Sequence, residues 1–214
     1  MIISASIQAA NQLNIIQDIH KHESKFDQIH VDITDGHFTD NISMSFQHIK
    51  EVKKQTNYKV DVQLMVEDNV KLAPLAFEYG ADLVCVHSES TKLDDFIKLS
   101  NIYENLGVAT LPDTDNESIN DYLLYSKAVL LLAVNPGFSN QGQAINLIDK
   151  VKSFHNLYPN FNGDLIADGG IKNEDLEIIP GSLLDIKLFY NEKKALSVAA
   201  VSYTHLTLPT NREV

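Results

Sequence analysis

Residues 29 to 38 have the sequence Ile29-His30-Val31-Asp32-Ile33-Thr34-Asp35-Gly36-His37-Phe38. Apolar and polar residues alternate at the start of this stretch, which predicts a β-strand, and the following Asp-Gly pair is a turn signal. His30 and Asp32 then lie on one face of the strand. Imidazoles and carboxylates are seldom buried without a partner, so this face indicates either a functional site or the solvent-exposed side of an edge strand.

Strand-like and helix-like segments alternate along nearly the whole chain. Between the strand-like segments lie stretches with apolar residues at helical spacing, such as residues 46–52 and 145–151. Connections long enough to hold a helix favour parallel strands, and eight such units fit a closed (β/α)8 TIM barrel better than an open sheet. The predicted strands span residues 2–7, 28–33, 58–65, 83–88, 108–112, 128–135, 164–168 and 184–189.

Polar residues mark the ends of these predicted strands, where barrels of this type form their active sites. They are Ser6, Asp32, Gln63, His87, Asn135 and Asp168. Asp32 and Asp168 come from strands three steps apart around a ring of eight, so they can flank a ligand from opposite sides. Two carboxylates facing one carbon can invert its configuration, because one removes a proton and the other returns one to the opposite face.

Five short motifs follow one another along the chain. They are Ser4-Ala5-Ser6-Ile7, residues 30–38, Asp61-Val62-Gln63-Leu64-Met65-Val66, Val134-Asn135-Pro136-Gly137-Phe138 and Ala167-Asp168-Gly169-Gly170. In this order they resemble the motifs of the ribulose-phosphate 3-epimerase family, and the resemblance fades after about Asn173. It implies an isomerase that epimerises C3 of a ketose phosphate, D-ribulose 5-phosphate to D-xylulose 5-phosphate, through an enediolate. An allulose-6-phosphate 3-epimerase and an inactive sugar-phosphate-binding relic are the alternatives.

The resemblance also implies roles for individual residues. It gives metal binding to His30, Asp32 and Asp168, and proton transfer to the two aspartates. The implied cofactor is a divalent metal ion (Zn, Fe, Mn or Co) that stabilises the enediolate as a Lewis acid. The candidate substrate-binding residues are Ser6, Gln63, Asn135, Gly137, Gly169 and Gly170. Decarboxylase or aldolase barrels of the same phosphate-binding superfamily would place a lysine at the end of the second or third strand, where this chain has none.

The sequence departs from the family at the second metal-binding histidine, where it has Gln63. An amide offers a neutral oxygen ligand that suits harder ions, and it binds zinc less well than imidazole does. Three roles stay open for Gln63. It can ligate the metal weakly, donate a hydrogen bond to the enediolate oxygen, or mark a branch of the family with a different substrate.

The expected phosphate site also differs from the family. Ser139-Asn140 replaces a pair of glycines in the loop after the sixth strand, whereas Gly169-Gly170 keeps the close backbone approach that an anion needs. Gly181-Ser182 is either a displaced phosphate loop or the turn before the eighth strand. About one helix is missing here compared with the family, so we expect an incomplete or altered C-terminal βα unit.

Length and composition indicate one domain, because 214 residues with 44% hydrophobic content can bury a sizeable core. We assign residues 1–200 to it. Residues 201–214 do not continue the periodicity and resemble a translated library-preparation adapter, so we interpret them as a non-native scar, with a flexible terminus as the alternative.

The net charge of −12 argues against nucleic acid or an anionic membrane as a partner. The longest apolar run, residues 128–134, is too short to cross a bilayer. We therefore expect a cytoplasmic protein whose partner is a phosphorylated ketose substrate, and a homo-oligomer is compatible with the sequence.

Overall fold

The computed structural model describes residues 2–139 and 141–171 with their side chains, and residues 185–189 and 197–201 by their backbone. Within this part of the chain, strands and helices alternate. The strands are β1 (Ile2–Ser6), β2 (Gln28–Asp35), β3 (Ile42–Ser43), β4 (Val60–Met65), β5 (Leu83–His87), β6 (Leu106–Thr110), β7 (Ala128–Leu132), β8 (Asp164–Asp168), β9 (Asp185–Phe189) and β10 (Ser197–Val201). The α-helices are α1 (Ile15–His22), α2 (Phe46–Gln55), α3 (Asn69–Glu78), α4 (Leu93–Ser100) and α5 (Leu147–Leu157), and 3-10 helices span Ile7–Ala9, Glu23–Lys25 and Asn116–Tyr125.

The strands form one sheet in the order β10-β9-β1-β2-β4-β5-β6-β7-β8, and β3 pairs with β2. From β9 through β1 to β8, every neighbouring pair on this path is parallel. β8 also lies against β9 and β10, which brings the two ends of the sheet together. All eight predicted strands are present, and the predicted α/β fold of the TIM-barrel type is confirmed.

The C-terminal unit departs from the parallel pattern. β10 pairs antiparallel with both β1 and β9, where a regular βα unit would supply a helix on the outside of the sheet. This confirms the prediction of an altered C-terminal unit. Gly181-Ser182 and the tail from residue 202 onward lie outside the described residues, and the assignment of residues 1–200 to one domain stays a prediction.

The parallel strands are buried on both faces, as expected for strands covered by helices outside and by side chains inside the ring. All five residues of β7 are buried, and so are all six of β4. Cys85 is buried with Leu130 and Ile166 in one apolar cluster. Each large apolar side chain buried in this way contributes about 1.5–3 kcal/mol to stability. The core therefore holds the strand ends, and the polar groups on them, in fixed positions.

The described residues include no helix with both the length and the apolar character that crossing a membrane requires.

Candidate active site

His30 and Asp32 lie on one face of β2, as predicted, and both are buried. The Nε2 atom of His30 is 2.9 Å from Oδ1 of Asp32. Because β2 is flanked by β1 and β4, it is not an edge strand, and the solvent-exposed interpretation of this face is wrong. Asp168 ends β8, and one ligand atom from each of His30, Asp32 and Asp168 lies within 4.8 Å of the other two. These three side chains define a buried centre.

Ser6 ends β1 and lies beside His30 in the parallel register of β1 and β2. Its Oγ atom donates a hydrogen bond to Oδ2 of Asp32 at 2.6 Å. The Asp32 carboxylate is therefore bound on one oxygen by Ser6 and on the other by His30. Both bonds restrict its rotation, which is the condition for a carboxylate to meet a substrate carbon in one orientation.

Asp61 also belongs to this site, although the sequence analysis assigned no role to it. Its Oδ2 atom forms a short hydrogen bond with Nδ1 of His30. Its Oδ1 atom accepts hydrogen bonds from Oγ of Ser4 at 2.5 Å and from Nε2 of Gln28 at 3.3 Å. The sequence holds a signal for Asp61, because it lies two residues before Gln63 in a strand that is otherwise apolar. Residues at this spacing share one face of a strand, so Asp61 and Gln63 point to the same side. Burial lowers the pKa of His30, but the Asp32 and Asp61 carboxylates outweigh it and hold that pKa well above its usual value.

Gln63 and His87 extend the centre to the next two strands. Gln63 pairs with Asp32 in the register of β2 and β4, so both side chains lie on the inner face. Its Nε2 atom is 2.9 Å from Nε2 of His87, and Nδ1 of His87 is 3.0 Å from Oε2 of Glu89. His87, which the sequence placed at the same strand-end face, therefore contacts Gln63 from β5.

The carboxyl group of Asp168 has an unusual protonation equilibrium. Burial and the nearby negative charge of Asp32 raise its pKa to about 7, while the His30 charge and a hydrogen bond from the Gly169 N–H act in the opposite direction. A carboxyl group with a pKa near neutrality can take up or release a proton at physiological pH.

The sequence model of the ribulose-phosphate 3 epimerase family matches residues 2–182. The chain belongs to the ribulose-phosphate 3-epimerase family. The ribulose-phosphate 3-epimerase of Methanocaldococcus jannaschii is 35% identical over 179 residues, which cover 80% of this chain and 75% of that protein. Those of Bacillus subtilis (30% over 185 residues, 83% and 82%) and Aquifex aeolicus (29% over 193 residues, 82% and 87%) are similar. The predicted resemblance is confirmed, and so is the prediction of an isomerase that acts on carbohydrates.

The donor atoms of this site fit a divalent metal ion. His30 offers an imidazole nitrogen, and Asp32 and Asp168 offer carboxylate oxygens within one small volume. Two buried oxygens at this site, Oδ1 of Asp168 and Oε1 of Gln63, have no hydrogen-bond partner among the described residues. A buried acceptor without a partner costs about 1–3 kcal/mol, and a cation bound between these two oxygens would remove that cost. Asp61 bonded to the far nitrogen of His30 is the arrangement that usually orients a metal-binding histidine.

The raised pKa of Asp168 predicts that the metal-free protein is more stable with a neutral residue at this position. The folded pKa of about 7 lies above the unfolded value of 3.8, so stability falls as the pH rises between these values. At pH 8 in EDTA we expect Asp168→Asn to raise Tm by about 3 °C or more. At pH 4 the two proteins should differ little. Calorimetry at both pH values tests this, and an unchanged or lower Tm of the variant at pH 8 would contradict it.

The loop after β7 reaches across to the loops that follow β1 and β2. The carbonyl oxygen of Gly137 accepts hydrogen bonds from Nε2 of Gln8 at 3.2 Å and from Nδ2 of Asn41 at 2.5 Å. Gly137 has a φ of +104°, and a Cβ atom there would lie 2.1 Å from Oγ1 of Thr39. This contact brings the segment that contains Asn135 and Gly137 to the same end of the sheet as the buried centre.

The turn after β8 is also built from glycines. Gly169 and Gly170 have φ values of +101° and +62°, and the carbonyl oxygen of Gly170 accepts a hydrogen bond from Nε2 of Gln143 at 3.2 Å. A Cβ atom on Gly169 would lie 2.7 Å from a methyl group of Val134. The two predicted phosphate-side loops, after β7 and after β8, therefore pack against each other.

A methyl group at Gly137 should displace the loop after β7 without disturbing the buried centre. We expect Gly137→Ala to raise KM by about tenfold and to change kcat by less than about threefold, because the aspartates lie on β2 and β8, not on the loop. Steady-state kinetics measures both constants. A large fall in kcat with constant KM would mean that this loop takes part in the chemical step.

Proposed function

We propose that this chain epimerises C3 of a ketose phosphate and interconverts D-ribulose 5-phosphate and D-xylulose 5-phosphate. The observation that carries the proposal is the pair of buried carboxyl groups, Asp32 and Asp168, which come from distant strands of the ring and meet within 4.8 Å. One carboxylate takes the proton from C3, which is acidic because it is next to the C2 carbonyl, and an enediolate forms across C2 and C3. The other carboxyl group returns a proton to the opposite face of C3.

The surrounding residues support this role. Ser6 and His30 hold Asp32 in one orientation, and the pKa of Asp168 near 7 allows it to act as either acid or base at neutral pH. His30, Asp32 and Asp168 would hold a divalent ion, with Oε1 of Gln63 as a further donor, and this ion would supply Lewis-acid stabilisation of the enediolate oxygens. We assign substrate binding to Ser6, Gln63, Asn135, Gly137, Gly169 and Gly170.

A hexulose phosphate is the second candidate substrate, because Gln63 stands where the family has a histidine and alters the wall of the site. The test is to incubate the protein with ribulose 5-phosphate or allulose 6-phosphate in deuterated water, with Mn²⁺, with Zn²⁺ or after EDTA treatment. We expect inversion at C3 and one deuterium there, fastest for ribulose 5-phosphate. Faster inversion of allulose 6-phosphate would favour the second candidate. Neither deuterium nor inversion in any sample would refute both and indicate a binding relic.

A further inference from the structure

A chain of hydrogen bonds runs from the buried centre across three neighbouring strand ends. It begins at Gln63 on β4, continues through the His87 imidazole at the end of β5, and reaches Glu89. Oε1 of Glu89 accepts hydrogen bonds from the backbone N–H of Leu111 at 2.7 Å and from the hydroxyl group of Thr114. His87 is fully buried, whereas the Glu89 side chain is 21% exposed. None of these contacts is needed to hold the strands together, since the strands already pair through their backbones.

The positions of the protons in these hydrogen bonds follow from the two ends of the series. Burial raises the pKa of Glu89, but its interaction with His87 and the hydrogen bonds from Thr114 and Leu111 lower it to about 2, so Glu89 is a carboxylate that can only accept hydrogen bonds. The proton between Glu89 and His87 therefore lies on Nδ1 of His87. The amide nitrogen of Gln63 can only donate, and it lies 2.9 Å from Nε2 of His87, so this ring nitrogen is the acceptor and carries no proton. The Gln63 amide thus directs its NH2 group toward His87 and its carbonyl oxygen away from it.

Three further observations agree with this orientation. The carbonyl oxygen Oε1 of Gln63 is buried and has no hydrogen-bond partner among the described residues. The register of β2 and β4 places Gln63 directly beside Asp32, so the side chains share the inner face. The ring of Phe38, from the loop after β2, packs on the His87 ring with their centroids 4.8 Å apart and limits the rotation of the imidazole.

We propose that Glu89 and His87 are positioning residues that fix the Gln63 amide, so that its carbonyl oxygen and not its NH2 group faces the centre formed by His30, Asp32 and Asp168. The inference deepens the proposed function and rests on it for the role of a metal ion. A carbonyl oxygen adds a neutral donor to one imidazole and two carboxylates, and such a donor set favours Mn²⁺ over the softer Zn²⁺ more than an imidazole in the same place would. Without the hydrogen bonds from Glu89 through His87, the Gln63 amide would be free to turn its NH2 group toward the centre, and this group repels a cation.

The variant Glu89→Gln keeps the shape of the side chain but reverses the direction of the hydrogen bonds between residues 89, 87 and 63. The Leu111 N–H needs an acceptor, so the new amide keeps its oxygen there and directs its NH2 group at Nδ1 of His87. The imidazole proton must then move to Nε2, and the Gln63 amide must turn its oxygen toward it. We expect ¹⁵N NMR of the metal-free protein to show an Nδ1–H tautomer of His87 in the wild type and an Nε2–H tautomer in Glu89→Gln.

A double-mutant cycle separates this orientation from the loss of a nearby negative charge. Titration calorimetry with Mn²⁺ alone would compare the wild type, Glu89→Gln, Gln63→Leu and the double variant. We expect Glu89→Gln to weaken Mn²⁺ binding by about tenfold to a hundredfold in the wild type. In the Gln63→Leu variant there is no amide to reorient, so Glu89→Gln acts only through the lost charge of Glu89. The loss of Mn²⁺ affinity should therefore be at least about fivefold smaller than in the presence of Gln63. Glu104→Gln, an exposed carboxylate outside the site, is the control and should leave the affinity unchanged.

Two outcomes would overturn the inference. One is an Nε2–H tautomer of His87 in the wild type, which is decisive even where a variant does not fold. The other is an equal loss of Mn²⁺ affinity from Glu89→Gln in both backgrounds. The NMR and Mn²⁺-binding measurements do not depend on turnover. If both give the expected results but the protein epimerises no ketose phosphate, the proposed function is refuted and the positioning role of Glu89 and His87 stands. If the wild-type protein bound no Mn²⁺, the metal role would be refuted both in the proposed function and in this inference.

Discussion

Replacement of either Asp32 or Asp168 by asparagine is expected to lower the rate of C3 epimerisation by at least about a thousandfold. Asparagine has almost the same shape but cannot take up or release a proton at neutral pH. Both aspartates also belong to the candidate metal centre, so each change should abolish the exchange of the C3 proton with solvent as well. The measurement is the initial rate of inversion, together with deuterium incorporation followed by proton NMR.

Asp164→Asn is the matched control for this prediction. Asp164 begins β8 and Asp168 ends it, so the same substitution is made on the same strand but at opposite ends of the sheet. Asp164 is also partly buried, and burial raises its pKa. We expect the control to retain activity within about threefold, because active sites of these barrels lie at the carboxyl ends of the strands. If Asp32→Asn or Asp168→Asn epimerised at the control rate, the two aspartates would not be the acid-base pair.

The sequence was sufficient to predict the eight parallel strands and the position of the centre. Period-two alternation located β2 and put His30 and Asp32 on one face, and the barrel geometry placed Asp32 and Asp168 at one end of the sheet. Both inferences use patterns along the chain itself, which can be recognised without knowing which strands are neighbours. The alternation could place Asp61 on the same face as Gln63, but it could not give the hydrogen-bond partners of Asp61 or Glu89. These partners depend on which residues of neighbouring strands and loops lie side by side, and only the register supplies that information.

Local chemistry also explains where the regular pattern fails. The connection between β6 and β7 is a 3-10 helix, Asn116–Tyr125, where the alternating pattern predicts an α-helix. Residues 116–121 include two Asn, one Ser and one Asp, whose side chains compete for backbone hydrogen bonds and disfavour α-helix interiors. The antiparallel pairing of β10 was likewise outside the reach of periodicity, because a short apolar segment does not specify its direction in a sheet.

The buried centre is held by a second layer of polar residues whose loss should destabilise the whole protein. Asp61 is the acceptor for both Ser4 and the His30 imidazole, and all three side chains are buried. We expect Asp61→Ala to lower the free energy of unfolding by about 3 kcal/mol, because it leaves a buried imidazole and a buried hydroxyl without their acceptor. Ser4→Ala removes only one hydrogen bond and should cost about 1 kcal/mol. Asp95→Ala, which breaks an exposed pair with Lys98, is the control with little expected effect.

The effect of Asp61→Ala on stability should also depend on pH, and its sign follows from His30. The folded pKa of His30 is raised well above the unfolded value of 6.5, so its charged form stabilises the protein fully below pH 6.5 and less as the pH rises through the folded pKa. The stability difference between wild type and Asp61→Ala should therefore be larger at pH 6 than at pH 9.5. Urea unfolding in EDTA at both pH values measures it. A difference that is the same at both pH values would mean that His30 is neutral in the folded protein and that Asp61 acts only as a hydrogen-bond acceptor.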